Sequence, residues 1–449
     1  MNVLKAFKTV TLCAAFSAAI TTTAAVFDKL ASEMGTPVSF MEKANAQEQK
    51  KRRTPALSEK MFKSMAKVEE LVSPPEESGK KPNLPAALNE LAKIERGCEK
   101  CNRYELAQVY FRYAWIYATQ EKYANSLKYY DKVVAQSPDI PLGLELQSLY
   151  YMAQLAMQID QYKRALGYLN KWMGMSSDVK PEAYDLKARI CYQMDNKKCA
   201  LDNINKTVSM REKEGIAKEH EYNLQRAMYL EKENFKTTAK IMEKLVRHYP
   251  KKSYWVQLSA VYGMLNREKA QLGTLETAYL MGGVKKQQGL VNLAYLYINS
   301  GVPYRAAVVL EKGMKDKLVK RSEKNLILLA NAWQQSKDVK KAIPVLQEAA
   351  KSSSNGDLYG QLVGLYLDTD NNKAAVSAAK QAFKKGVKKR NAEVHLNVGI
   401  AYMNLENFKS AINSFKEAEK DKTVRKTASA WRKYAEKEFE RTKAIESAI

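Results

Sequence analysis

A helical-hairpin signature recurs nine times in phase along this chain, at a period of about 35 residues, and nothing else in the sequence restricts the fold as tightly. The clearest copy is His395-x-x-Val398-Gly399-x-x-Tyr402, followed by Phe408-x-x-Ala411-Ile412-x-x-Phe415-x-x-Ala418. Variants stand at Trp255-x-x-Leu258-Ser259-x-x-Tyr262, Leu293-Ala294-x-x-Tyr297 and Leu329-Ala330-x-x-Trp333. Aligned on the usually small residue that opens the second helix, the copies centre near Ser126, Ala165, Ala200, Thr238, Gln271, Ala306, Ala342, Ala375 and Ala411. Small residues at the eighth and twentieth positions let the two helices approach closely, and the large residues between them fill the space to the next hairpin. No hairpin buries its apolar face alone, so the array must form as a stack. An ordinary helical bundle could show one good copy by chance, but not nine in phase.

This period and pattern are those of tetratricopeptide-type repeats. The expected fold is all-α: a tetratricopeptide-type superhelical solenoid of about nine helical hairpins with a C-terminal capping helix. A chain of 449 residues could hold several globular domains, but an array overrides that prior because one elongated core grows with each unit. The repeat array is placed at 86–422, with a helix from about Pro85 to Arg96 before the first copy. The capping helix is placed at 423–449, where Trp431, Tyr434, Ala435 and Phe439 would cover the open apolar end. Residues 47–85 read as a flexible basic linker: Lys50-Lys51-Arg52-Arg53, one short amphipathic stretch from Ser58 to Leu71, then Pro74-Pro75 and Gly79-Lys80-Lys81-Pro82.

The N-terminus carries Lys5 and Lys8 and then a short apolar run to Ala24-Ala25, a secretory signal pattern too short for a membrane span. Cleavage after Ala46, in Ala44-Asn45-Ala46, fits the small-residue rule best and makes 1–46 the leader; cleavage after Ala25 is the alternative. Export is the expected outcome. Cys13 leaves with the leader and lacks the flanking residues of a lipid-anchor signal. Four cysteines remain in two local pairs, Cys98 with Cys101 and Cys191 with Cys199, candidate disulfides in an oxidising compartment. Free buried thiols and, for Cys98-x-x-Cys101, redox chemistry are the other readings. A zinc site is not expected there, since no second ligand pair lies nearby.

The net charge of +25 arises from 74 Lys and Arg against 49 Asp and Glu. Basic clusters recur at Lys197-Lys198, Lys251-Lys252, Lys285-Lys286, Lys340-Lys341 and Lys388-Lys389-Arg390. Such a surface is either simply solvated or attracts acidic proteins, anionic lipid headgroups or nucleic acid, and no base-reading motif favours the last. His220, His248 and His395 show no metal-ligand spacing on one helix, and no phosphate loop, dinucleotide fingerprint or nucleophile elbow is present. The chain is therefore read as a binding protein and not an enzyme, with no cofactor or metal. Positions 2, 5, 9 and 12 of each first helix line the inner groove of such arrays. They place Gln108, Phe111, Trp115, Gln147, Tyr150, Gln154, Arg189, Tyr192, Tyr295, Asn331 and Gln334 in a candidate peptide-binding groove. Amides can pair with an extended backbone, and flat aromatics can stack on proline rings. The competing expectation is that several of these aromatics pack between neighbouring repeats.

Four segments carry a more specific resemblance: Tyr104-Glu105-Leu106-Ala107-Gln108; Pro250-Lys251-Lys252-Ser253-Tyr254-Trp255; Val302-Pro303-Tyr304-Arg305-Ala306-Ala307 with Leu310-Glu311-Lys312-Gly313; and Gly356-Asp357-Leu358-Tyr359. The chain in these stretches resembles periplasmic tetratricopeptide proteins of Gram-negative bacteria associated with TonB-ExbB-ExbD energy transduction. The resemblance implies an accessory role in TonB-dependent transport and a partner from that system; a Glu- and Pro-rich periplasmic linker would suit both the groove and the basic surface. The alternative reading is an envelope-assembly factor whose basic face contacts an anionic membrane surface or cell-wall polymer.

Overall fold

The computed structural model describes residue 52, residues 56–75 and residues 78–448; the expected leader and both of its cleavage sites lie outside them. Twenty-one helices and no strand occur among the described residues. Helices α1 (Glu59–Val72) and α2 (Leu84–Arg96) come first. Helix pairs follow in chain order: α3 (Arg103–Thr119) with α4 (Tyr123–Val134), α5 (Leu142–Gln158) with α6 (Tyr162–Met175) and α7 (Pro181–Gln193) with α8 (Lys197–Glu214); then α9 (Glu219–Glu231) and, after it in sequence, α10 (Phe235–His248); then α11 (Lys252–Met264) with α12 (Glu268–Leu280). The last four are α13 (Gln287–Asn299) with α14 (Pro303–Lys315), α15 (Glu323–Gln335) with α16 (Val339–Ser352), α17 (Asp357–Leu367) with α18 (Asn372–Lys385), and α19 (Asn391–Asn404) with α20 (Phe408–Ala418). Helix α21 (Arg425–Ala448) closes the chain.

Every pair turns in one register. Glu121, Asp160, Asp195, Glu233, Asn266, Gly301, Lys337, Asp370 and Glu406 take left-handed backbone conformations, φ 53–74°. Each stands five residues before the residue on which its copy was aligned. The next N–H then reaches back to the carbonyl five residues earlier, as from Asn196 to Cys191, Asp338 to Trp333 and Asn407 to Tyr402, at 2.9 Å. This bond satisfies a carbonyl that the first helix leaves over at its C-terminus. The same residue caps the second helix where it is Asn or Asp: Asn196, Asn234, Asp338, Asn371 and Asn407 each accept from the N–H three residues on.

The small residue of the second helix has a counterpart twelve residues earlier in the first. Ala114 and Ser126, Ala153 and Ala165, Ala188 and Ala200, Ala294 and Ala306, and Ala330 and Ala342 are all fully buried, which is what close helix approach demands. Gln271 breaks the rule and is only half-buried. Gly263 makes room for it, since a Cβ there would lie 2.8 Å from Gln271 Nε2. Gly399 is similarly required, because a Cβ would strike the Phe415 ring.

The chain divides into two compact units, Met1–Lys232 and Glu233–Ile449. In the first, Leu127, Tyr130, Leu149, Met152, Leu169 and Leu186 belong to a core running through α3 to α7. A second cluster joins α1, α2 and α3 through Met61, Val68, Val72, Leu91, Val109 and Ile116. The stretch expected to be a flexible linker thus contains an ordered helix, because the apolar side of α1 finds a partner in α2. The N–H of Ser58 also donates to Glu105 at 2.8 Å, and Glu105 in turn completes a capping box with Asn102. In the second unit one continuous core links α12 to α19, with Trp333 and Leu346 fully buried. As expected, α21 covers the end of the array, where Trp431 and Ala435 meet Phe415 and Ala411. Both cysteine pairs are disulfides: Cys191–Cys199 staples the α7–α8 turn, and Cys98–Cys101 lies in the link from α2 to α3.

Candidate peptide-binding groove

Successive first helices of the second unit form an open groove of about 550 Å³. Tyr295 of α13 forms one wall, and Glu323, Lys324, Ile327, Leu328 and Asn331 of α15 form the other, with Ser322 at its end. Lys324, Ile327 and Asn331 occupy positions 2, 5 and 9 of their repeat, and Tyr295 occupies position 9 of the preceding one. The α-helical spacing of these positions turns them to one face of α15. Tyr295 is 40% exposed, so part of its side chain is open to a ligand. The walls are held by polar contacts behind them. Asn325 Nδ2 donates to the Lys320 carbonyl at 2.8 Å, the Lys320 N–H donates to Gln287 Oε1 at 2.8 Å, and Arg321 makes a two-pronged bond to Glu348 at 2.6 and 2.8 Å. An amide, a phenol, an ammonium group and an apolar floor together suit an extended peptide.

Tyr295 and Asn331 are the two expected residues that meet in this groove, and Gln334 lies one turn further along α15, half-buried. Lys324 and Ile327, at positions 2 and 5, line the groove as well, although neither was among the expected residues. Their repeat positions were sufficient to find them.

In the first unit the candidates are distributed differently. Phe111 packs edge-on against Tyr130, with centroids 5.5 Å apart, and lies 6.5 Å from Tyr151 of the next pair. Tyr150 meets Trp172 at 5.1 Å, and Trp115 joins the α1–α3 cluster with the Arg112 guanidinium 5.5 Å from its ring. These three aromatics pack between helices. Gln147 is exposed and donates to the Tyr151 hydroxyl at 3.3 Å. Gln108 is half-buried, and the buried Oε1 of Gln154 has no hydrogen-bond partner among the described residues. The Tyr192 hydroxyl pKa is raised by burial and then by the Glu231 carboxylate.

Arg189 lies in an ion-pair cluster that spacing along one helix does not reveal. Position 5 of one repeat and positions 2 and 3 of the next bring Asp185, His220 and Glu221 together, with one ligand atom from each within 4.8 Å of the others. Their charges are already matched within the protein. Arg189 Nε and His220 Nε2 lie 3.0 and 3.4 Å from Asp185 Oδ2, while Arg211 bridges Glu182 and Glu221 and the Lys218 N–H donates to Glu221 at 2.7 Å. Burial by itself would raise the Asp185 pKa, but His220 and Arg189 outweigh it and hold the carboxyl below its ordinary value. The cluster fits an ionic clasp between α7 and α9 better than a cation site, because two guanidinium groups already face its carboxylates.

Two stretches, residues 107–140 and 392–420, match the family model for the tetratricopeptide repeat. The array is accordingly built from tetratricopeptide-type helix pairs. Solved structures similar to the chain include a MamA protein, 18% identical with a TM-score of 0.33, covering 39% of this chain and 94% of that one. Another is YrrB, described as a tetratricopeptide protein with an unusual peptide-binding site, 15% identical with a TM-score of 0.35, covering 43% of this chain and 99% of that one. No curated protein sequence matches the chain.

Proposed function

We propose that this protein is a periplasmic scaffold for protein–protein interaction, accessory to TonB-dependent transport, and that it holds an extended segment of a TonB-system component in the α13–α15 groove. The groove is the observation that carries the reading. An open trough lined by a phenol, an amide, an ammonium group, a carboxylate and an apolar floor has the binding chemistry of a peptide groove. The secretory pattern at the N-terminus supports the compartment, and the four resembling segments support the choice of partner system.

A photo-crosslinking residue at position 295, in cells starved of iron, should capture TonB, ExbB, ExbD or a TonB-dependent receptor. The double variant Tyr295→Ala, Asn331→Ala should lower recovery of that partner by about tenfold, the usual loss when central contacts of an interface are truncated. Capture of proteins outside this system, or equal recovery with the double variant, would refute the assignment.

A further inference from the structure

Antiparallel helix pairs give the second unit two edges. One holds the five turns within pairs, and the other holds the six junctions that lead into α11, α13, α15, α17, α19 and α21. Charge is segregated between them. Seven-residue windows at the junctions (246–252, 281–287, 315–321, 351–357, 384–390 and 420–426) contain 19 Lys and Arg against 3 Asp and Glu. Equal windows at the turns (264–270, 299–305, 335–341, 367–373 and 404–410) contain 8 against 5. The four junctions of the first unit (96–102, 135–141, 175–181 and 213–219) are balanced, 5 against 5. At 19 basic against 3 acidic residues, the six junctions of the second unit alone supply 16 of the chain's 25 net positive charges.

Three further features share that edge. Lys285, Lys286, Lys388 and Lys389 are exposed, and none has a side-chain ion pair among the described residues. Helices α11, α13 and α19 begin at Lys251, Lys286 and Arg390 with no side-chain cap, and the Asp357 carboxylate accepts from the N–H groups of Lys388 and Lys389 ahead of α19. Two leucines are exposed at or next to these junctions: Leu280, the last residue of α12, is 76% exposed, and Leu318, between Lys317 and Lys320, is 40% exposed; the turn edge carries Met264, Val302, Tyr304 and Leu405 but fewer lysines.

We propose that the junction edge of the second unit is a peripheral docking surface for an anionic phospholipid bilayer. Lysine stems on a row of loops reach headgroup phosphates, the uncapped helix N-termini add donors, and Leu280 and Leu318 enter the headgroup–acyl boundary. Lysines and exposed leucines together match a phosphate headgroup layer over an acyl boundary, and a salt-resistant leucine contribution to vesicle binding separates this surface from one for an acidic protein. The contact is superficial, since among the described residues no helix is long and apolar enough to cross a membrane. The groove's Ser322 end adjoins the 315–321 junction, but none of Lys285, Lys286, Lys388, Lys389, Leu280 and Leu318 lines it, and the proposal does not depend on the partner bound there.

The test is sedimentation of the full chain with phosphatidylcholine vesicles and with phosphatidylcholine–phosphatidylglycerol vesicles, at low and high salt. The parent protein should bind the anionic vesicles and weaken with salt. Substituting Lys285, Lys286, Lys388 and Lys389 together by Gln should cost several hundred-fold in affinity, at roughly fivefold per lysine near an anionic surface. A matched quartet on the opposite edge, Lys269→Gln, Lys340→Gln, Lys373→Gln and Lys409→Gln, keeps the same net charge and every other segment, and should stay within about twofold. Leu280→Ser with Leu318→Ser should lose about tenfold, and the loss should persist at high salt. Equal losses from the two quartets would overturn the proposal, as would no binding to anionic vesicles. Poly-glutamate binding as tight as vesicle binding, with the leucine variant unaffected, would overturn it in favour of an acidic protein. Unchanged circular dichroism and melting temperature in each variant show that the fold is intact.

Discussion

At the scale of single residues, the nine left-handed turn positions show how much strain the repeat accepts. Gly301 is the only glycine among them, while Lys337 and Glu406 adopt the same conformation against a steric cost of about 1–2 kcal/mol each. They persist because the following N–H must reach back to the first helix and the next side chain often caps the second. Lys337→Gly should therefore stabilise the protein, by about 0.5–1 kcal/mol after allowing for the added freedom of the unfolded chain. An upward shift in the urea midpoint would show it, and a downward shift would mean that the Lys337 side chain contributes more than its backbone costs. The turn register was legible from the repeat spacing. The conformation was not, since Glu, Lys and Asp carry no signal for it comparable to glycine's.

At the scale of helices, contacts between neighbours give side chains properties that their position alone does not. His395 of α19 stacks on Phe383 of α18, with centroids 4.2 Å apart. Burial lowers its pKa below the ordinary imidazole value near 6.5; Glu417 opposes that shift and Lys420 reinforces it. The folded protein then binds a proton less readily than the unfolded chain. Its contribution to stability is fully present above about pH 6.5 and is lost as pH falls through the lowered folded value. His395→Phe keeps a ring on Phe383 and removes the titration, so the drop in urea midpoint between about pH 7.5 and about pH 5 should be smaller in the variant than in the parent. An equal drop would assign the acid sensitivity to other groups. Helix α1 makes the same point about context. Its amphipathic pattern was visible, but Met61, Val68 and Val72 become core residues only because α2 and α3 offer a matching face.

At the scale of the whole molecule, each pair within a unit is stabilised mainly by its sequence neighbours in that unit, as in other stacked repeats. Truncating the fully buried Leu346 of α16 to Ala should cost about 2–5 kcal/mol. Amide hydrogen exchange should speed up most in α15 to α18, which share its core, and least in α3 to α6, whose buried residues form a different cluster. Uniform acceleration along the chain would instead indicate a single cooperative unit.

By itself the sequence determined the helix pairs, their number, their register and the closing helix, and it marked which cysteines could pair, because each of these follows from spacing along one chain: small residues twelve apart, turns five residues before them, thiols three and eight apart; that both pairs are disulfides came from the structure. Tertiary structure decided which side each candidate faces and what it meets there. It turned Phe111, Tyr150 and Trp115 into packing residues, joined Tyr295 with Asn331 in one groove, and brought Asp185 against His220. It also separated basic clusters that look equivalent in sequence: Lys340-Lys341 fall on the turn edge of the second unit, and Lys251-Lys252, Lys285-Lys286 and Lys388-Lys389-Arg390 on its junction edge. Spacing along a helix gives a direction around its axis, but what lies in that direction depends on a neighbour tens of residues away in the chain.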